Sequence, residues 1–345
     1  MRKLAASFAP GYTPSPPEDS KPAAQKPALL PVDSHDESYP SMAKARVILK
    51  RRKAVTNIRK ITRTMQLIAT AQYQKNYQRA VRTKPFAEKL EQVLADLSSI
   101  AGQVEHPLLN SPEKNIAAAG RTNAPPPPHV VLILSSNRGL CGGYNAGILR
   151  KATEHSRELQ LPRERIEFHT SGKKGIAYLK FIGVPIAGTY PHLADKPDFA
   201  AVAEVATGFM DRFTAGQIAG VDVVYQKFHN VAQQRPMVTR LLPFEAASTA
   251  GSAQPGSADV QYEFSPEPAQ LLAELLPAAV RTRLFQCFMD ALISEQIARM
   301  VAMKSATDAA GKLIKAATRA YNRARQTQIT TEIMEIVGGA EAMNG

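Results

Sequence analysis

Residues 129–159, HVVLILSSNRGLCGGYNAGILRKATEHSREL, decide the fold. The run from Val130 to Leu134 is apolar without interruption, short, and rich in β-branched residues, so it reads as a strand buried on both faces. A glycine-rich turn follows, and residues 142–159 return as an amphipathic helix. The alternation continues down the chain. RIEFHT (165–170) reads as a strand, GKKGIAYLKFIG (172–183) as a helix, VPIAGTY (184–190) as a strand, DFAAVAEVATGFMDRF (198–213) as a helix and VDVVYQKFHN (221–230) as a strand. Short apolar runs alternating with helices predict a parallel sheet with crossover helices, a Rossmann-like α/β domain over residues 129–245. PMVTRLLPF (236–244) reads as one more strand, antiparallel to 221–230.

Long helices are expected on either side. Between Met42 and Lys84 there is neither proline nor glycine, and Val47, Ala54, Ile58, Ile61, Met65 and Ile68 recur every three or four residues. That spacing predicts a helix with one narrow apolar seam. Pro85 interrupts it, and Phe86, Leu90, Val93, Leu94, Leu97 and Ile100 extend the pattern, so a coiled-coil helix is expected over 42–100. A second coiled-coil segment is expected over 268–345, its helix spanning 278–337. Its stripe is Met289, Ile293, Ile297 and Met300, resumed by Ile314, Ala317 and Tyr321. A helix with one sticky face gains most of its stability from packing, so the two are expected to pair antiparallel, flanking the central domain. Residues 101–128, which end in Pro125–Pro128, are expected to be a proline-rich loop, and residues 246–267, of which 246–258 are rich in Ala, Ser and Gly, a connector. Residues 1–41 hold eight prolines and no apolar period. They read as a disordered extension, or as upstream sequence to a chain that starts at Met42.

Charge narrows the function. The 345 residues carry 43 Lys+Arg against 30 Asp+Glu, a net +13. Thirteen basic residues and no acid fall between Met42 and Lys84, so the rest of the chain balances. The densest group is Lys50, Arg51, Arg52, Lys53, Arg59, Lys60 and Arg63. Such a helix calls for an anionic partner: nucleic acid, a lipid surface or an acidic protein. A merely solvated face would mix both signs. A nucleic-acid binder would favour interleaved aromatics, and only Tyr73 and Tyr77 occur here, so the residues alone leave nucleic acid and acidic protein both open.

Other classes are disfavoured. No apolar run exceeds five residues, against the roughly 20 a membrane helix needs. Cys141 and Cys287 form no Cys-x-x-Cys pair, and the seven histidines show no metal-ligand spacing, so neither a disulfide framework nor a metal centre is expected. SSNRGLCGGYNAG (135–147) could cradle phosphate at a helix start. It matches neither Gly-x-Gly-x-x-Gly nor the pattern ending in Gly-Lys-Ser/Thr, and a structural turn is the preferred reading. With no nucleophile elbow, no His-Glu-x-x-His and no paired carboxylates, no catalytic residue and no cofactor are expected.

The chain's last segment, RQTQITTEIMEIVGGAEAM (325–343), closely resembles the signature of the gamma subunit of F-type, rotary, proton-translocating ATP synthases. Three further stretches resemble the family in order: KITRTMQLIATAQYQK (60–75), NRGLCGG (137–143) and SEQIARMVAMKSATDAAGKLI (294–314). The likeness runs from about Met42 to the end. It implies a shaft of paired helices inside a hexamer of alternating alpha and beta subunits. The sheet domain would stand on the membrane ring of c subunits, with epsilon and delta subunits in the same complex. Proton flow would turn the ring, and the asymmetric shaft would drive the beta-subunit sites and regulate their ATPase activity, the chain itself breaking no bond. It further implies no nucleic-acid partner, membrane contact only through the complex, and a peripheral place on the cytoplasmic side of the cell inner membrane. Arg325, Gln326 and Thr330 match family positions that hydrogen-bond a beta-subunit loop, and Met65 the position where the first helix meets a beta-subunit lever. The basic helix would face acidic loops of the beta subunits. Plastid members carry a redox-switching cysteine pair that this chain lacks, so thiol regulation is not expected. The N-terminal 41 residues and the insert near 111–128 depart from the family pattern.

Overall fold

The computed structural model describes residues 41–100, 106–110, 112–120, 125–245 and 268–344. The extension expected before residue 41 and the 246–267 connector lie outside these residues. In chain order the elements are α1 (Ser41–Ile100), α2 (Pro112–Ala118), β1 (His129–Ile133), α3 (Tyr144–Glu158), β2 (Ile166–Thr170), α4 (Lys173–Phe181), β3 (Ile186–Thr189), α5 (Pro191–Asp195), α6 (Phe199–Thr214), β4 (Gly220–Phe228), β5 (Gln234–Leu242) and α7 (Pro268–Asn344). They form two compact units, one of residues 47–323 and one of the helix ends, 41–46 with 324–344.

The sheet is five-stranded in the order β3-β2-β1-β4-β5. Four strands are parallel, and β5 runs antiparallel to β4, as 236–244 was expected to. Central β1 is buried along its whole length, which explains its unbroken apolar run. Val131 and Ile133 meet α3 and α4 on one face; Val130 and Leu132 meet α6 and the long helices on the other. Leu90, Leu94 and Leu97 of α1 and Leu284, Phe285 and Phe288 of α7 join that second core, so the helix pair is rooted in the sheet. Arg283 reinforces the root. Its guanidinium lies 4.1 Å from the Phe244 ring centroid, donates to Glu91 Oε1 at 3.1 Å and to the Glu245 carbonyl at 3.0 Å.

Three expectations need correction. The proline-rich stretch 101–128 is not all loop: α2 begins on Pro112, a residue suited to the first helical position, and Asn115 donates to the Pro107 carbonyl at 2.8 Å. The C-terminal helix begins ten residues earlier than 278 and ends seven later than 337, with Pro277 inside it. The third concerns the seam of α1. Val47, Ile58, Ile61 and Ile68 are 66%, 51%, 59% and 57% exposed, and Ala54 is exposed with them. The residues turned inward are instead Ile48, Arg52, Val55, Thr62, Gln66, Ala69, Tyr73, Asn76, Ala80, Thr83 and Ala87, a run at spacings of three and four with one step of seven past exposed Arg59. Their counterparts on α7 are Met303, Thr307, Ala310, Ile314, Ala317 and Tyr321. Two contacts fix the antiparallel register: Thr307 Oγ1 donates to Thr62 Oγ1 at 2.8 Å, and Arg52 lies 5.6 Å from the Tyr321 ring centroid. The seam is made of small and polar side chains. Of the large apolar side chains in the first half of α1, Ile48 and Val55 turn inward, whereas Val47, Ile58, Ile61 and Ile68 point elsewhere.

Candidate functional site

In a doubly wound sheet, ligands bind outside the carboxyl ends of the strands where the order reverses, here between β1 and β4. In this protein α7 passes through that place. Ser294 Oγ donates to the Gln226 carbonyl near the end of β4 at 3.1 Å. Tyr144 Oη donates to the Ala291 carbonyl at 3.0 Å, and Arg299 reaches the Arg138 carbonyl at 3.4 Å. Arg299 is itself paired with buried Glu295 at 2.6 Å. The glycine-rich loop 135–147 closes on its own side chains. Asn145 accepts from the Ser136 amide at 3.0 Å and donates to Cys141 Sγ at 3.1 Å. Leu140 and Gly142 take φ of 64° and 57°, and a Cβ on Gly142 would lie 3.8 Å from Ala302. The loop's shape serves contact with α7. Cys287 is buried in the α7 core, and burial pushes its thiol up to about 12, far from a nucleophile's range.

A polar cluster that sequence reading missed sits within the sheet. Asp222 on β4, 1% exposed, accepts from His129 Nε2 at 2.9 Å, His155 Nε2 at 2.7 Å and Arg240 Nε at 3.1 Å. These donors come from β1, α3 and β5, so one carboxylate ties four elements together. Burial works against ionisation of Asp222, but the three donors outweigh it and hold the carboxyl well below its ordinary range. His155 is raised, chiefly by its hydrogen bond to Asp222, with burial opposing and Glu158 assisting. The available signal was the acid itself, set among valines in VDVVYQ, since buried carboxylates are nearly always paired.

The pH dependence follows from the signs. The lowered Asp222 contributes stability fully above 3.8 and loses it as pH falls through its lower folded value. The raised His155 contributes fully below 6.5 and loses it as pH rises through its higher folded value. The cluster is therefore strongest between 3.8 and 6.5. Urea midpoints measured at about pH 6 and about pH 8 should fall with pH in the natural protein and fall less in His155→Gln. Equal slopes would show that His155 is not the group that titrates.

The basic residues do not form one face. Lys50, Arg51, Lys53, Arg59, Lys60 and Arg63 are exposed, and Arg52 alone of the group is half-buried, over Tyr321; Arg59 Nε would stand 4.0 Å from a Cβ on Gly311. The aliphatic stem of Arg52 thus lines the helix contact. What α1 offers to solvent is a double surface: six of these cations, and the apolar stripe of Val47, Ile58, Ile61 and Ile68, with Leu49 and Leu67 exposed on another face of the helix. Met65, at the edge of that stripe, is half-buried. Arg325, Gln326 and Thr330 lie together on an exposed stretch of α7 within the unit of helix ends, where Thr330 Oγ1 donates back to the Gln326 carbonyl at 3.0 Å. Among the described residues no group of His, Cys, Asp and Glu has the arrangement of a metal site.

The chain resembles known proteins along almost all its described length. The sequence model of a family described as ATP synthase matches residues 44–343. The ATP synthase gamma chain of Rhodopirellula baltica is 43% identical over 307 residues, covering 88% of this chain and 100% of that protein. The gamma chain of Leptospira biflexa is 38% identical over 303 residues, with the same coverage of each. Among solved structures, a chain of the Euglena gracilis mitochondrial ATP synthase OSCP/F1/c-ring in rotational state 3 superposes with a TM-score of 0.58 at 18% identity, over 88% of this chain and 95% of that one. A chain of the rotor of the same synthase in rotational state 1 gives 0.54 at 17% identity, over 84% and 99%. The fold is theirs.

Proposed function

Since the chain belongs to the family of ATP synthase gamma chains, we propose that it is the central rotor of an F-type ATP synthase, a subunit that catalyses no reaction of its own. Its paired helices would turn inside a hexamer of alpha and beta subunits. The sheet domain would stand on the c-subunit ring beside the epsilon subunit, and proton flow through the ring would drive the shaft. The chain would sit at the cytoplasmic face of the inner membrane, held there by the complex; no described helix is long and apolar enough to cross a bilayer.

The observation that carries this reading is the double surface of α1. Contiguous apolar patches of this kind mark protein contacts. An apolar stripe slides against an apolar sleeve with no hydrogen bonds to break. The flanking cations meet acidic loops through forces that vary smoothly with angle. Both properties suit a contact that turns. The sequence motif around Arg325, Gln326 and Thr330 would add directional donors, and an Arg fork suits a carboxylate.

The test is to co-express the chain with the alpha and beta subunits of its own organism and assay the purified soluble complex. One copy per three alpha–beta pairs, with ATPase activity that requires the chain, is the expected result. Ile61→Ser with Ile68→Ser should leave the melting temperature of the isolated chain within a few degrees, because both residues are exposed, yet weaken its retention in the hexamer. Failure of the natural chain to join the hexamer would overturn the reading.

A further inference from the structure

On the sheet face beneath α3 and α4 lies a cavity of about 370 Å³. Its floor is Ile133, Ile166 and Phe168, and Leu149 and Leu179 wall it. The space exists because α3 lines it with Ala152, Thr153 and Ser156, three small side chains where larger ones would fill it. An enclosed apolar cavity of about 150 Å³ is enough to hold benzene. This one has room for two fused rings or a medium-length acyl chain.

Its polar end is one-sided. Arg157 and Arg163 border the cavity and are exposed, and no carboxylate among the described residues lies within ion-pair distance of either. The acids of α3 nearby are engaged elsewhere: Glu154 with Arg150 and Lys151, Glu158 with Lys151 and His155. The carbonyl ends of the two helices are closed by their own chain, His155 O by the Leu159 amide and Leu179 O by the Val184 amide. An apolar body and a cationic mouth are the complement of one class of ligand.

We propose that this cavity binds an amphipathic monoanion, a medium-chain fatty acid or a two-ring aryl carboxylate, with its body on Ile133 and Phe168 and its carboxylate between Arg157 and Arg163. The site is independent of the rotor reading and stands whether or not the chain assembles with other subunits. It lies on the far sheet face from the root of the helix pair, and among the described residues that root does not cover it.

The experiment titrates the full chain with decanoate and with 2-naphthoate, and with 2-naphthalenemethanol as the uncharged control, followed by calorimetry or by the shifts of methyl resonances. Saturable binding of at least one acid is expected, with the alcohol at least tenfold weaker. Decanoate alone binding would point to a lipid-derived ligand, 2-naphthoate alone to an aromatic one. Arg157→Glu with Arg163→Glu, two exposed changes that spare the core, should weaken binding at least tenfold. Ala152→Phe, which fills the space, should abolish it. No saturation by either acid into the low millimolar range would overturn the proposal. So would binding that neither the charge-reversed nor the filled variant alters.

Discussion

Asp222→Ala is expected to cost the chain about 3–5 kcal/mol of unfolding free energy, the usual penalty for removing one partner of a buried charge cluster. The carboxylate is almost fully enclosed and is the shared acceptor of two imidazoles and a guanidinium. Without it Arg240 and His155 would face a methyl group and one another. The loss would fall on four elements at once, since the donors stand on β1, α3 and β5 and the acceptor on β4. Asp222→Asn keeps the shape and an acceptor oxygen and should cost less. Urea unfolding at about pH 6, inside the window where the cluster is strongest, is the measurement. A loss under about 1 kcal/mol for the alanine variant would mean that the core closes over the site without it.

Arg325→Ala with Gln326→Ala is expected to act in the opposite place. Both side chains are exposed, so the isolated chain should change by no more than about 0.5 kcal/mol. In the assembled complex the pair would lose hydrogen bonds to a charged partner, each of order 1.5–3 kcal/mol. If those bonds form only in the driven state, ATP hydrolysis should fall by about tenfold or more. Normal turnover by the double variant would remove the role assigned to these residues. Reduced turnover with a lowered melting temperature would instead signal a folding defect. Both quantities are therefore measured on the same preparation.

The sheet was legible because its chemistry is local. Runs such as Val130–Leu134 have one sensible burial, and the glycines between them mark where the chain turns. The antiparallel β5 was legible for the same reason. The helix contact was not. A period of three and four fits either of two neighbouring stripes on α1, and hydrophobicity chose the stickier one. The actual seam runs through Thr62, Ala69, Ala80 and Thr83, residues whose virtue is their small size, and through the stem of Arg52. No transfer scale ranks those above isoleucine. The Asp222 cluster was hidden differently, because His129, His155 and Arg240 are brought to it only by the register of β1, β4 and β5. The candidate contacts Arg325, Gln326 and Thr330 were visible only through a motif; nothing in their local chemistry distinguishes them from any exposed helix surface.

The composition of the helix contact also sets how firmly the pair is held along its length. Around Thr62, Ala69 and Ala310 each turn removes little more than a methyl group from water, about 0.8 kcal/mol per carbon. At the root, each fully buried Leu or Phe contributes about 1.5–3 kcal/mol. Adhesion therefore rises steeply from the Arg52–Tyr321 contact toward the sheet. A strain that parts the two helices would begin at the weak end and be arrested at Leu90 and Leu284, much as a tear stops at a seam sewn more densely. The sheet domain would keep its shape while the helices above it yield.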